Sequence, residues 1–136
     1  MIEIKQYSDQ LKTMSIADGF FEGWPNPPSK EIHRKILENS YAAFVAIDPL
    51  TKKIIGFINI ISDGVLSAYV PLLEVIPAYR KQGIGKELVE TAFLELQNLY
   101  MIDLSCDDAL VSFYKELGMH QTNGMIKRNF KKQSGE

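Results

Sequence analysis

The sequence has few of the cysteine and histidine residues that disulfides and metal sites require. Among its 136 residues are one cysteine, Cys106, and two histidines. One cysteine cannot form an internal disulfide, and this set cannot supply a structural zinc site of the usual kind. There is no uninterrupted apolar run of about 18 residues, and the first residues alternate in polarity instead of forming a signal segment. We therefore expect no metal, no membrane contact and a reducing, cytoplasmic environment.

An excess of positive charge is also missing. The 15 Lys and Arg residues face 17 Asp and Glu residues, which leaves a formal net charge of −2. Proteins that bind nucleic acids usually carry a basic face or a basic excess, so we expect no nucleic-acid partner. The length and an apolar content of 46% suit a single core. We predict one domain over residues 1–130 and a disordered tail over 131–136.

The N-terminal part is predicted to contain one strand and two helices. Residues 2–7 alternate apolar and polar side chains, which is typical of a short edge strand, and a helical stretch begins at Ser8 and runs as far as Trp24. Three prolines follow Trp24 and cannot continue a helix, so we predict a rigid loop there. Ser29 is a suitable N-cap for a second helix that ends at Asn39.

The middle of the chain is predicted to form three strands. Residues 41–47 and 54–62 are rich in Ile, Val, Phe and Ala, and the turn-like linker between them favours antiparallel pairing. Asp63-Gly64 is typical of a two-residue turn, which would begin another strand over residues 65–76. Pro71 lies inside that strand and removes one ladder donor, which predicts a bulge.

The C-terminal part is predicted to add two helices and finish the sheet. After Pro77, apolar residues recur every three or four positions and indicate an amphipathic helix. A strand over residues 100–106, a helix between Asp107 and Gly118, and a hairpin over 119–130 would follow. The fold class is thus α/β, a mixed, mostly antiparallel sheet of six to seven strands with about four helices. Its free edge could pair with a second subunit in a homodimer.

The most informative segment runs from Leu73 to Val89 and reads as a strand, a tight basic turn and an amphipathic helix. The free amides and the dipole at such a helix start suit an anion, and Gly83 and Gly85 would let the backbone come close to it. On spacing alone, glycines that merely shape the connection are an equally good interpretation. The dinucleotide motif fails because residue 88 is Leu, and the phosphate-loop motif fails because no Ser or Thr follows Lys86.

Two motifs in this part of the chain resemble the GCN5-related N-acetyltransferase (GNAT) superfamily. Arg80, Gly83 and Gly85 match its Arg/Gln-x-x-Gly-x-Gly/Ala signature, and residues 112–119 resemble its Phe-Tyr-x-x-x-Gly-Phe segment, with Met119 in place of the final Phe. The resemblance covers about residues 54–119. It implies the GNAT fold, with the fourth and fifth strands splayed apart. It also implies that acetyl-CoA is the cosubstrate and that its acetyl group passes to a primary amine by direct attack in a ternary complex.

The resemblance also implies where the coenzyme binds. Backbone amides of the turn would hold its pyrophosphate, and backbone groups of the preceding strand would pair with its pantetheine arm. The residues concerned are Leu73, Val75, Arg80, Lys81, Gln82, Gly83, Ile84, Gly85 and Lys86.

Two residues are predicted to carry the chemistry. Tyr114 matches the tyrosine that many family members place near the coenzyme sulfur, where it could protonate the leaving thiolate; its spacing alone would put it on a core face. Glu74 interrupts an apolar strand, on the opposite face from Leu73 and Val75, and is our candidate for the group that accepts the proton of the amine. A salt-bridged or solvent-facing Glu74 is the alternative.

The acceptor side is less defined. Phe20, Phe21 and Trp24 would cover one end of the cleft and favour a small-molecule or peptide amine with apolar surface, unless they are ordinary core residues. We expect His33 to be structural or solvated on a surface helix. Two alternatives to an enzyme remain: a non-catalytic, acyl-CoA-binding regulatory module, and an interaction domain that binds no coenzyme.

Overall fold

The computed structural model describes all 136 residues, which form a six-stranded mixed sheet and three α-helices. This confirms the predicted fold class, with three α-helices where about four were expected. The strands are β1 (Glu3–Gln6), β2 (Ser15–Ile16), β3 (Ala42–Asp48), β4 (Lys53–Ser62), β5 (Ser67–Val75) and β6 (Met101–Leu104). The helices are α1 (Lys30–Asn39), α2 (Ile84–Glu95) and α3 (Val111–Glu116).

The strand order is β1-β3-β4-β5-β6, and β2 lies beside the start of β4. Neighbouring strands run antiparallel except in the pairs β2–β4 and β5–β6. Successive residues of β3 alternate between two apolar clusters, which therefore occupy opposite faces of the sheet. Helix α2 packs in the first cluster, and Leu37 of α1 packs in the second. No helix is long and apolar enough to cross a membrane.

The prediction of a helix that begins at Ser8 was wrong. That segment instead holds a 3-10 turn over Asp9–Leu11 and strand β2, followed by turns. Strand β2 interrupts the predicted helix at Ser15, and beyond it Gly19 and Gly23, with φ angles of +110° and +84°, exclude a helical backbone. The predicted second helix, capped by Ser29, was confirmed as α1. The Ser29 hydroxyl accepts a hydrogen bond from the Ile32 amide at 3.1 Å and caps this helix.

The turn between β4 and β5 is longer than predicted. Four residues, 63–66, separate the two strands instead of a two-residue Asp-Gly turn. The Asp63 carboxylate accepts hydrogen bonds from the amides of Val65 and Leu66 at 2.8 Å and from that of Ser67 at 3.2 Å. These hydrogen bonds lower the pKa of Asp63, and they organise a wider loop than the dipeptide alone favours.

The bulge predicted at Pro71 is present. Asn59 and Ile61 of β4 lie opposite Leu72 and Tyr69, so β5 has one residue more than β4 over this stretch. The Leu72 amide donates to the side-chain oxygen of Asn59 at 3.1 Å, which replaces a ladder bond. Asn59 is only 4% exposed, so its amide group is an integral part of the bulge.

Strands β5 and β6 separate immediately before the bulge. Their pairing ends at Val70 and Leu104, whereas β5 continues to Val75. The rest of β5 keeps its pairing with β4 on one side and presents a free edge on the other. The predicted splay is therefore present and leaves the second half of β5 without a strand partner on this side.

The hairpin predicted over residues 119–130 was also wrong. Residues 119–129 form neither strand nor helix and do not pair with β6. Beyond them, Phe130–Lys132 form a 3-10 turn, and the side-chain oxygen of Gln133 accepts a hydrogen bond from the Asn26 amide at 2.8 Å. The segment expected to be a disordered tail thus lies against the loop that precedes α1.

Candidate active site

The turn before α2 presents a helix start that no side chain caps. Lys81 and Gly83 adopt left-handed conformations, with φ angles of +62° and +81°. Gly83 is the N-cap residue and no side chain accepts a hydrogen bond there, so the amides of residues 83–86 lack partners within the helix. A Cβ atom at Gly83 would meet nothing within 4 Å, which shows that the space beside these amides is open.

The side chains of this turn divide into exposed and anchored ones. Lys81, Gln82 and Lys86 are exposed, whereas Ile84 is 4% exposed and packs in the first core cluster. Only the backbone of Ile84 is therefore free to bind a ligand. Exposed cations around unpaired amides at a helix start provide suitable surroundings for a pyrophosphate.

The side chain of Arg80 is used within the protein. Its Nε donates to the Val75 carbonyl at 2.9 Å, and its Nη1 lies 3.1 Å from a carboxylate oxygen of Glu22. Arg80 thus ties the end of β5 to the loop before α1. Arg80 lies in the predicted coenzyme site, but its guanidinium bonds other parts of the protein and stabilises the turn.

The side chains of β5 alternate between the two faces of the sheet, as predicted. Leu73 and Val75 pack against the first core cluster, and Leu72 packs against the second. The outer edge of the backbone at Leu73 and Val75 is not paired with β6. An extended ligand could therefore form ladder hydrogen bonds along this edge.

Glu74 lies on the same face as Leu72 and has a specific partner. One of its carboxylate oxygens accepts a hydrogen bond from the Phe21 amide at 2.7 Å. Burial raises the pKa of Glu74 above its ordinary 4.5, against the opposing effects of this hydrogen bond and of the Arg80 charge. Glu74 is thus half-buried and is in no ion pair within 4.0 Å.

The backbone that meets Glu74 is strained. Phe21 has a φ angle of +59°, which is unusual for a bulky residue. Such conformations persist where the surroundings enforce them and often occur at functional sites. Here the hydrogen bond to Glu74 and the burial of the Phe21 ring, which is 4% exposed, hold the residue in place.

Tyr114 lies on α3 next to the start of α2. Its ring is 7% exposed and packs in the first core cluster, and no hydrogen bond within the chain engages its hydroxyl. The neighbouring Phe113 ring would lie 3.9 Å from a Cβ atom at Gly85, so α3 contacts the first turn of α2. Burial raises the pKa of Tyr114 to about 12, with a smaller effect from Cys106, so the phenol stays protonated at neutral pH.

The predicted aromatic wall is partly core and partly groove. Phe20 packs against both clusters, whereas Phe21 and Trp24, with ring centroids 5.0 Å apart, line an open cavity of about 340 Å³. Leu72 of β5 also lines this cavity, and the backbone of its lining residue Phe21 bonds the Glu74 carboxylate. We call it the aromatic groove; it is lined by Phe21, Trp24, Pro28, Ile32, Lys35, Ile36, Asn39, Leu72, Lys132, Gln133 and Gly135.

His33 is not on the surface, contrary to prediction. It is 1% exposed and packs against the rings of Phe20 and Phe57, with centroids 4.8 and 4.4 Å away. Burial, with a smaller effect from Arg34, lowers the pKa of His33 to about 4, so the ring is neutral at physiological pH. His33 is thus a structural residue of the aromatic core, which was one of the two roles expected for it.

Comparison with known proteins identifies the arrangement as a whole. Residues 11–119 match the family model described as "Acetyltransferase (GNAT) family". The chain belongs to this family. Both motifs quoted above, and the splayed strands, lie within the matched residues.

Individual GNAT relatives agree with this assignment. A crystal structure of a candidate acetyltransferase from Deinococcus radiodurans R1 is 42% identical, with a TM-score of 0.90, over 98% of this chain and 92% of that one. A GNAT family acetyltransferase from Streptococcus pneumoniae TIGR4 is 26% identical, with a TM-score of 0.69, over 95% of this chain and 98% of its own. Among sequences, "Probable acetyltransferase TAP2" of Glycine max is 31% identical over 80% of this chain and 48% of its own. The chain thus spans about half the length of that relative.

Two residues of this GNAT site could not be recognised in the sequence. Asn59 lies in the middle of an apolar strand, and only the register of β4 against β5 shows that it bonds the Leu72 amide. Glu22 bonds Arg80, which is 58 residues away in sequence, and nothing in either residue's sequence neighbourhood predicts this contact. A buried Asn in an otherwise apolar strand was the one available signal, because such a group needs a partner.

Proposed function

We propose that this chain transfers the acetyl group of acetyl-CoA to a primary amine, by direct attack in a ternary complex. The observation that carries the proposal is the uncapped start of α2 beside the cleft where β5 and β6 part. Membership of the GNAT family supports the same reaction. Acetyl-CoA supplies the activated thioester, and the chain supplies the groups that bind, orient and exchange protons.

The backbone of the α2 turn would bind the coenzyme pyrophosphate. The amides of residues 83–86 lack partners, and the open space beside Gly83 lets an anion reach them. Lys81 and Lys86 would add positive charge at the surface. The Leu73 backbone and the Val75 amide on the unpaired edge of β5 would bond the amide groups of the pantetheine arm, since the Val75 carbonyl already accepts from Arg80.

Glu74 would accept the proton that an alkylammonium must lose before it can attack. Its raised pKa makes it a stronger base than an ordinary carboxylate. The Phe21 amide, 2.7 Å away, would hold one carboxylate oxygen and leave the other for the substrate or a water. Tyr114, protonated and with a free hydroxyl, would donate a proton to the departing thiolate, and its phenolate would regain a proton, directly or through water, from the nitrogen that has become the amide.

The aromatic groove would receive the body of the acceptor. Its lining combines Phe21, Trp24 and Leu72 with Lys35 and Lys132 and contains no carboxylate. We therefore propose an acceptor with one reactive amine on an aromatic or apolar body, of the kind found in arylalkylamines and aromatic amino acids or peptides. Polyamines would bind poorly because the lysines repel additional positive charge. We further propose a cytoplasmic location, where acetyl-CoA is available.

The first experiment is calorimetric titration of the purified protein with acetyl-CoA, followed by a turnover assay on a panel of amines. The panel contrasts arylalkylamines and aromatic peptides with polyamines and amino sugars. Binding and turnover of aromatic amines would support the proposal. Binding without turnover of any amine would favour the regulatory module, and absence of binding would contradict both.

A further inference from the structure

The segment between α3 and the tail has no partner within the chain. In residues 120–128, which we call the C-terminal arm, no backbone amide or carbonyl forms a hydrogen bond within the chain, and every residue is exposed. Met125 is 97% exposed and Ile126 is 64% exposed. A segment with free hydrogen-bonding groups and exposed apolar side chains is able to add to a sheet edge as a strand.

Both ends of the C-terminal arm are attached to its own chain. On one side, the Met119 amide donates to the Tyr114 carbonyl at 3.1 Å, at the end of α3. On the other side, Gln133 bonds the Asn26 amide, and Gly135 lies against the Ile32 side chain. The arm therefore runs from α3 towards α1 and does not return along β6 of its own sheet.

A strand with one free edge is also present. β6 pairs with β5 on one side and ends the sheet on the other. Its outer edge thus offers backbone donors and acceptors along Met101–Leu104, and Ile102 and Leu104 are only half-buried. The sheet ends where the sequence predicted a hairpin to cover it, so the C-terminal arm and this edge are complementary halves of the missing pairing.

Charge favours a second copy of the same chain as the source of the covering strand. The arm carries two adjacent exposed cations, Lys127 and Arg128. The exposed carboxylates of Asp103, Asp107 and Asp108 lie on and directly after β6. An acidic edge and a basic arm on one molecule can satisfy each other twice around a two-fold axis.

We propose that the protein forms a two-fold dimer in which each C-terminal arm pairs as a β-strand with β6 of the other copy. The exchange covers the β6 edge of each copy and buries Met125 or Ile126 against the half-buried side chains of β6. It also clamps α3, which lies in the chain between β6 and the arm and carries Tyr114.

The first test measures mass in solution by light scattering coupled to size exclusion. The unmodified chain should elute at twice 15.4 kDa. Ile126→Pro removes an arm amide and should weaken the dimer at least about tenfold, since strand pairing depends on such donors. Ile126→Val keeps the amide and the apolar surface and should remain dimeric. Retained binding of acetyl-CoA and an unchanged circular dichroism spectrum would show that both variants are folded.

The second test asks which strands meet, and uses the exposed lone cysteine at the end of β6. Thr122→Cys, Asn123→Cys and Met125→Cys are each oxidised in the presence of Cys106. At least one should form a disulfide between two chains, and that disulfide should disappear when Cys106→Ser is added. A disulfide within one chain, a cross-link that survives Cys106→Ser, or a protein of single mass would each overturn the proposal.

Discussion

The two sides of the candidate site are made from different chemical groups. On the coenzyme side, the proposed ligands are backbone amides of one short turn, residues 83–86, next to an unpaired backbone edge of β5. On the acceptor side, the groove is lined by side chains that come from three distant parts of the chain. Backbone groups are the same whatever the side chains, so the first side suits a cosubstrate shared by a family, whereas the second can differ in each member.

The largest effect is expected from a substitution that impairs only the coenzyme side. Gly83→Asp places a carboxylate beside the pyrophosphate and strains a residue with a φ angle of +81°, so we expect the affinity for acetyl-CoA to fall about 1,000-fold. Calorimetric titration measures this change. Gly118→Asp is the matched control, because Gly118 has a φ angle of +93° and equally open surroundings. Equal losses in both variants would show that strain, not charge, is responsible.

The second-largest effect is expected from a substitution of Glu74, which lies between the coenzyme side and the acceptor side. Glu74→Gln keeps an oxygen that can accept the Phe21 hydrogen bond but removes the base. We expect kcat/KM to fall about 100-fold while acetyl-CoA binds normally. Steady-state kinetics with calorimetry separates the two effects. Full activity in this variant would assign proton removal to another group or to water.

The pH dependence of the same residue provides a finer test. The carboxylate is the active form, so kcat/KM should rise with pH through a pKa above 4.5, and this acid limb should vanish in Glu74→Gln. A carboxyl whose pKa is raised by folding favours the folded state below its unfolded pKa, and that contribution is lost as pH rises through the folded pKa. The thermal stability of Glu74→Gln relative to the unmodified chain should therefore increase over that interval.

A smaller loss is expected on the leaving-group side. Tyr114→Phe removes only a hydroxyl, and water that enters the cleft can replace part of its function, so kcat should fall about tenfold with little change in coenzyme affinity. Because the pKa of Tyr114 is about 12, its ionisation should produce no fall in activity below about pH 11. Single-turnover rates at saturating acetyl-CoA measure the step directly. An unchanged rate would return Tyr114 to a packing role.

The smallest effect should be confined to the acceptor side. Trp24→Ala enlarges the aromatic groove and should raise KM for an aromatic amine about fivefold through lost apolar contact, with the affinity for acetyl-CoA unchanged. Tyr100→Ala is the control, since this tyrosine is 84% exposed and lies outside the groove. A KM that responds equally to both substitutions would place the acceptor elsewhere.

Local signals in the sequence predicted much of the fold. The strands of residues 42–62, helix α1 with its Ser29 cap, and helix α2 depend on neighbours in sequence, and all three predictions were confirmed. The helix from Ser8 failed because Ser15–Ile16 pair with β4, a contact distant in sequence, and because two glycines beyond them have positive φ angles. The hairpin over 119–130 failed because strand pairing depends on a partner that the local pattern does not specify.

The candidate site divides in the same way. The α2 turn was recognisable because its residues are contiguous in sequence, and Glu74 stood out as a charge within an apolar strand. The roles of Asn59 and Leu72 depend on a register shift between two strands, which no window of sequence contains. The place of His33 among aromatic rings depends on how α1 packs, so its burial was missed.

The uncapped start of α2 also has a meaning for anyone who would engineer this protein. A capping residue at position 83 would gain only about a few tenths of a kcal/mol over glycine, and the φ angle of +81° would strain it, so stability alone gives little reason to change this position. A capping side chain would also occupy the amides proposed to bind the coenzyme. Both effects act in the same direction, so we expect stabilising substitutions in this protein to be found away from the α2 turn.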